Sequence, residues 1–162
     1  MNTASIRFVS PSTPEELDTL RGIFREYAAG LQIDLCFQGF EAELAALPGE
    51  YVAPRGALLM ALVNDELAGC CALRPLDSVD YPNACEMKRL YVRPGFQGRG
   101  LGRQLTEAIL DCARQADYAS VLLDTLNEME SARALYQDLG FKEIPPYYHN
   151  PIEGAHYLMV NL

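Results

Sequence analysis

Apolar positions along this chain recur sometimes at every second residue and sometimes at every third or fourth, and the changes of period divide it into strands and helices. Residues 5–9 (SIRFV) alternate and predict a short first strand. Ser12-Thr13-Pro14-Glu15-Glu16 then starts a helix, with a hydroxyl cap, a proline in the first turn and acids against the dipole. Leu17, Leu20, Ile23, Phe24 and Tyr27 follow at helical spacing, and Gly30 closes the segment. A second helix is expected over 37–47, with Phe37, Phe40, Leu44 and Leu47 on one face and Pro48-Gly49 ending it.

The middle of the chain reads as strands. Residues 57–63 (ALLMALV) and 67–74 (LAGCCALR), joined by a three-residue turn at Asn64-Asp65-Glu66, predict an antiparallel hairpin. Residues 84–92 (ACEMKRLYV) predict a further strand. An amphipathic helix spans 102–115, its core side made of Leu101, Leu105, Ile109, Leu110 and Cys112. SVLLDTL (120–126) is a buried strand, a helix from about 129 to 139 stops at Gly140, and 141–144 and 156–162 close the sheet. The order βααβββαβαββ implies a mixed α/β fold on a largely antiparallel sheet. No repeat, low-complexity tract or linker divides residues 1–162, so a single domain is expected.

Composition narrows the setting. Apolar residues make up 49% and charged residues 22%, the balance of a soluble globular protein. No apolar run reaches a bilayer-spanning length, and MNTASIRFVS lacks the layout of a signal peptide. With five cysteines and no C-x-x-C pair, reduced thiols in a cytoplasm are expected. Two histidines without paired cysteine spacing argue against a protein-held metal. A net charge of −9 argues against nucleic acid as partner.

The positive charge is concentrated, however. Lys88, Arg89, Arg93, Arg99 and Arg103 are five of thirteen basic groups, and the segment RPGFQGRGLGR (93–103) also carries four glycines. A strand running through such a turn into a helix leaves the first helical N–H groups without acceptors, at the positive end of the dipole. Glycines let a ligand approach the main chain, and a phosphate or pyrophosphate is the natural guest. The P-loop pattern is absent, and the dinucleotide pattern fails because Arg103 follows Gly98-x-Gly100-x-Gly102.

Gln97-Gly98-Arg99-Gly100-Leu101-Gly102 matches [QR]-x-x-G-x-[GA], and with it the chain resembles the GNAT superfamily of acyl-coenzyme A-dependent N-acyltransferases. MKRLYVRP is similar to that family's fourth strand, and Ala132-x-x-Leu135-Tyr136-x-x-x-Gly140-Phe141 to its second conserved block. The resemblance covers essentially the whole chain. It implies a sheet of six to seven strands flanked by about four helices, and acetyl-coenzyme A as co-substrate without a metal.

It also implies roles. Gln97, Gly98, Arg99, Gly100, Leu101, Gly102 and Arg103 would wrap the pyrophosphate. Leu90, Tyr91 and Val92 would offer main-chain groups to the pantetheine arm where the strand bulges, between this strand and SVLLDTL. The family's asparagine position is Met129 here, and Asn127 is the nearest substitute. Tyr136 matches the general acid that protonates the leaving thiolate. Glu86 is the expected base, sharing strand parity with Leu90 and Val92, while Asp124, His149 or a water chain are alternatives. Tyr27, Phe37, Tyr147, Tyr148 and Asp34 are candidates to enclose a cationic acceptor.

The expected activity is acetyl transfer to a primary amine of a small or amino-acid-like molecule. A protein acetyltransferase and a non-catalytic acyl-coenzyme A sensor are the alternatives. HYLMVNL is apolar enough to allow a homodimer through the last strand.

Overall fold

The structure, a computed structural model, describes residues 5–31, 40–126, 130–148 and 155–162. Its strands are β1 (Ile6–Val9), β2 (Ala57–Val63), β3 (Glu66–Leu76), β4 (Ala84–Val92), β5 (Ser120–Leu126), β6 (Lys142–Ile144) and β7 (Ala155–Asn161). Its helices are α1 (Pro14–Leu31), α2 (Phe40–Ala46), α3 (Leu101–Gln115) and α4 (Glu130–Asp138). One sheet takes the order β1-β2-β3-β4-β5-β7-β6, and among the described residues β4–β5 is its one parallel pair. The predicted βααβββαβαββ order is therefore observed, with boundaries shifted by a residue or two, except that residues 37–39 of the predicted second helix lie outside the described residues.

Local chemistry accounts for the element ends. At the start of α1, Thr13 Oγ1 accepts from the Glu16 N–H at 3.1 Å while Glu16 Oε1 accepts from the Thr13 N–H at 3.1 Å, a reciprocal capping box. The β2–β3 turn is tighter than the sequence suggests. Val63 pairs directly with Glu66, leaving only Asn64 and Asp65 in the turn, with φ of 50° and 67°. Both values are those of a two-residue turn whose twist matches the strands.

Cores form on both faces of the sheet. On one, Leu101, Leu105 and Ile109 of α3 pack with Cys71, Met87, Val121 and Leu123. On the other, Leu20, Ile23 and Phe24 of α1 pack with Phe40 and Leu44 of α2 and with Met60 and Cys70. Cys112 is only partly buried at the edge of the α3 core. The final strand β7 lies inside the sheet between β5 and β6, so its edges are already paired within the chain.

Two irregularities in β4 shape the region around the glycine loop. Between the pairs Cys70–Tyr91 and Ala72–Lys88, β3 advances two residues while β4 advances three, so β4 carries a bulge. Arg89 occupies it with φ of 60°, an uncommon conformation for a residue with a long side chain. Its carbonyl accepts from the Cys70 thiol at 3.2 Å, and its guanidinium grips both oxygens of Glu43 on α2 at 3.0 Å. The same guanidinium stacks over the Phe40 ring at 5.1 Å. Gly69 allows β3 to close on this stretch, since a Cβ there would stand 2.6 Å from the Tyr91 carbonyl oxygen.

The bulge also reverses strand parity. Leu90 and Val92 join Met87 on the α3 side, whereas Glu86 faces the other side, where it meets Tyr147. The expectation that Glu86 shares a face with Leu90 and Val92 is thus corrected: the extra residue lies between them. The second irregularity is separation. β4 and β5 pair only over Ala84–Glu86 and Ser120–Leu122, and beyond that point both strands continue unpaired with one another.

The Arg89 side chain is 2% exposed, and removing it would leave the Glu43 carboxylate, 13% exposed, without its counter-charge. Burial raises the Glu43 carboxyl, but the Arg89 guanidinium outweighs it and holds the group below its ordinary value. Arg89→Leu is expected to lower unfolding free energy by about 3 kcal/mol in urea denaturation near neutral pH. Because the folded value is the depressed one, the pair's contribution is present above the ordinary 4.5 and is lost as pH falls through the folded value. The gap between wild type and variant should therefore narrow on acidification; a gap independent of pH would refute the ion-pair account.

Candidate active site

Residues 97–103 leave β4 through a short turn, Pro94–Phe96, and enter α3 at Gly100. Gln97 Nε2 donates to the Val92 carbonyl at 3.0 Å and ties the loop to the strand end. Gly98 and Gly100 adopt φ of 79° and 76°, which a side chain would strain. A Cβ built at either would meet nothing within 4 Å, so the main chain here faces open space. The first helical bond back is from the Gln104 N–H to the Gly100 carbonyl at 3.1 Å. The amides of Leu101, Gly102 and Arg103 thus lack an intrahelical acceptor at the positive end of the dipole. Gly102 instead faces inward, toward Val92 and Leu135.

The loop cations have partners. Arg99 lies over the Phe96 ring at 5.7 Å. Arg103 bridges Glu107, at 3.0 Å, and Asp138 on α4. Both arginines are solvent-exposed. The fit for a diphosphate therefore rests on the amides and the open loop face, with Arg99 and Arg103 at its rim.

Beyond the loop, the separation of β4 from β5 opens a cleft. Leu90 and Val92 pack their side chains into the α3 core, and Tyr91 turns to the opposite face, edge-on to Tyr27 at 6.0 Å. Tyr136, from α4, is 5% exposed and leans on Phe141 with ring centroids 5.5 Å apart. Burial pushes its phenol well above the ordinary value, and the charges of Cys71, Tyr27 and Asp124 add to the effect. It is fully protonated at neutral pH. Burial likewise raises the Cys71 thiol beside it, and Tyr27 is pushed up to about 12.

Two carboxylates stand on the strands where they part. Glu86 is 1% exposed; its Oε1 accepts from Arg74 Nε at 2.8 Å and its Oε2 from the Tyr147 hydroxyl at 2.7 Å. Arg74 sits directly opposite Glu86 in the β3–β4 register and also reaches Glu50 at 3.1 Å. Asp124 accepts from the Tyr148 hydroxyl at 2.7 Å, and burial raises its carboxyl above the ordinary value. The rings of Tyr147 and Tyr148 are 5.4 Å apart, so neighbouring residues of one loop each hold one carboxylate.

Tyr147 and Tyr148 are therefore hydrogen-bond donors to acids rather than free aromatic walls. Sequence reasoning missed Arg74 and Glu43 as parts of this region, and counted Arg89 only among the concentrated cations. The hairpin register carried a signal for Arg74, because a cross-strand arginine opposite a buried glutamate is a natural pair. Asn127, Met129, His149, Asp34 and Phe37 lie outside the described residues.

Comparison with known proteins agrees with this architecture. Residues 20–141 match the Acetyltransferase (GNAT) family. An uncharacterized N-acetyltransferase of Schizosaccharomyces pombe is 37% identical over 163 aligned residues, covering 100% of this chain and 98% of its own. Among solved structures, a GNAT-family acetyltransferase from Staphylococcus aureus superposes with a TM-score of 0.76 at 19% identity, covering 97% of this chain and 99% of the other. The PaiA N-acetyltransferase of Thermoplasma acidophilum, in complex with coenzyme A, gives 0.70 at 18% identity, covering 98% and 99%. With its phosphate-type loop, its parted strands and this family match, the chain belongs to the GNAT family of acetyltransferases.

Proposed function

We propose that the protein transfers an acetyl group from acetyl-coenzyme A to the primary amine of a small, amino-acid-like molecule. The observation that carries this reading is the open glycine face at the head of α3 set beside the cleft between β4 and β5. Amides of Leu101, Gly102 and Arg103 would hold the diphosphate, with Gly98 and Gly100 keeping the approach clear. Main-chain groups of Leu90, Tyr91 and Val92 would line the arm, as an added strand would be received at a sheet edge. When bound, the co-substrate supplies a thioester whose carbonyl carbon accepts the amine nitrogen; the C–N bond forms, the C–S bond breaks, and the electron pair leaves on sulfur.

The chain's own groups would manage the protons. An amine that is protonated at neutral pH must first lose a proton to a base. We assign this to Asp124, because burial raises its basicity and its charge acts directly on the Tyr136 phenol. Glu86, the base expected from sequence, is committed to Arg74 and Tyr147 and is better suited to positioning. Tyr136 would return a proton to the departing sulfur. Its elevated pKa makes it a weak donor, but burial penalises a thiolate in the same cleft as well, as the raised Cys71 thiol illustrates. The two shifts run in the same direction and keep the transfer feasible.

Gly100→Val places a β-branched residue at φ of 76° and a side chain on the ligand face. Titration calorimetry with coenzyme A is expected to show affinity weakened roughly 10- to 100-fold, from about 1–3 kcal/mol of strain. Unchanged affinity would remove the loop from the binding site. Tyr136→Phe should reduce kcat by about 10²-fold or more while coenzyme A binding is retained, measured by thiol release. Asp124→Asn should cause a comparable loss of kcat and abolish the acid limb of the pH–rate profile, whereas Glu86→Gln should act mainly on acceptor KM. The opposite pattern would return the base role to Glu86, and wild-type protein that binds coenzyme A yet acetylates no amine would favour a sensor.

A further inference from the structure

Asp124 is half-buried and is held by a side chain to which the reaction above gives no part. The Tyr148 hydroxyl donates to Asp124 Oδ2 at 2.7 Å, and among the described residues it is the one hydrogen-bond donor to that carboxylate. We propose that Tyr148 is a positioning residue for acetyl transfer: its hydroxyl fixes one oxygen of Asp124 and leaves the other to take the acceptor's proton. The inference rests on the acetyl-transfer reading above, with Asp124 as the base.

The packing around Tyr148 fixes where its hydroxyl can go. Its ring stands 5.4 Å from that of Tyr147, and 5.7 Å from that of Tyr157 at an interplanar angle of 77°. Tyr147 also meets Tyr157 edge-on at 5.4 Å, while its own hydroxyl is tied to Glu86. Tyr157 is buried and lies directly opposite Asp124 in the β5–β7 register, so its side chain shares the face of the sheet that carries the carboxylate. Edge-to-face contacts restrain the planes of all three rings. A tyrosine has only two side-chain torsions, so a ring held in this way delivers its hydroxyl to one place at little further cost in freedom.

The electrostatics agree with that geometry. Ionisable groups act on Asp124 from each element around it: Glu86, Lys88 and Arg89 of β4, Tyr136 of α4, Tyr27 of α1, and Tyr147 and Tyr148 of the loop. Burial raises the Asp124 carboxyl, and the bond from Tyr148 is the largest influence in the opposite direction. Glu86 raises it further, while Lys88 and Arg89 lower it. Burial alone would thus make a strong base that is already protonated, and the hydroxyl draws it back toward the ionised form. Burial and the Asp124 charge push the Tyr148 phenol far above its ordinary value, so it remains a donor. The proton passes from the acceptor's ammonium to the second carboxylate oxygen, the N–H bond breaks, and its electron pair stays on nitrogen. Tyr148 keeps its own proton throughout.

The test is the pH dependence of thiol release from acetyl-coenzyme A, with the fastest acceptor found among free amino acids and alkylamines. Tyr148→Phe keeps the ring and removes the donor, so the acid limb of kcat/KM should move to higher pH. At a pH below the limb the variant should be about tenfold slower than wild type, as the loss of one charge-assisted bond allows, with the two drawing together on the alkaline plateau. Tyr148→fluorotyrosine preserves the shape, donates more strongly and should move the limb the other way, which keeps the test open even where the Phe variant fails to fold. Tyr147→Phe removes a hydroxyl from the same ring cluster and should leave the limb in place; a shift as large as that of Tyr148→Phe would mean general loosening and overturn the inference. Titrating the Asp124 carboxyl carbon by NMR in the coenzyme A complex reads the same shift without turnover. If Asp124→Asn abolishes the limb while both Tyr148 variants leave it where it was, the positioning role falls and the base stands. If the limb survives Asp124→Asn, Asp124 is not the base and the inference falls with it, even where the NMR midpoint moves.

Discussion

The Glu43–Arg89 ion pair is the contact on which the shape of the cleft depends. A residue held at φ of 60° in the middle of a strand is costly, and something must hold it there. Here a guanidinium on the bulge residue is locked by two oxygens of a helix carboxylate and backed by the Phe40 ring. The bulge then turns Leu90 and Val92 toward α3 while Tyr91 and Arg89 face α1 and α2. Helix α2 is only seven residues long, yet through this pair it sets the course of the central strand.

The remaining geometry descends from that constraint. β4 pairs with β5 only as far as Glu86, and the bulge at Arg89 follows three residues on, where β4 runs unpaired with β5. Tyr136 of α4 is buried, and Asp124 of β5 is among the charges that act on its phenol. Connecting β4 to α3 requires a loop at the gap's rim, and its glycines leave unbonded amides facing outward. The loop proposed for the diphosphate and the gap proposed for the thioester thus lie at the two ends of the same strand stretch. The buried acids near them are balanced in pairs, each held by a tyrosine hydroxyl and one by an arginine as well. Such a concentration of ionisable groups under low solvent exposure is what the proposed proton transfers would use.

Much of this was legible in the chain itself. Hydrophobic periodicity located the strands and α-helices of the described residues, because the period of a buried face is a local property that neighbouring residues impose. The cap at Ser12–Glu16 was readable for the same reason, and so was the glycine loop, whose chemistry resides in the main chain and needs no distant partner. The β2–β3 turn was misjudged by one residue, since register rather than turn composition decides which residues pair.

What the sequence alone determined, then, is the order of elements, the two-sided core, and a glycine-rich strand–loop–helix junction. Which charges meet is another matter, and only the tertiary structure decided it. Glu43 and Arg89 are 46 residues apart, and Glu86 and Tyr147 are separated by 61. Parity counting placed Glu86 with Leu90 and Val92, and a single inserted residue at Arg89 reversed that. Contacts of this kind depend on how sheet and helices close in three dimensions, where a one-residue change in strand length carries a side chain to the opposite face.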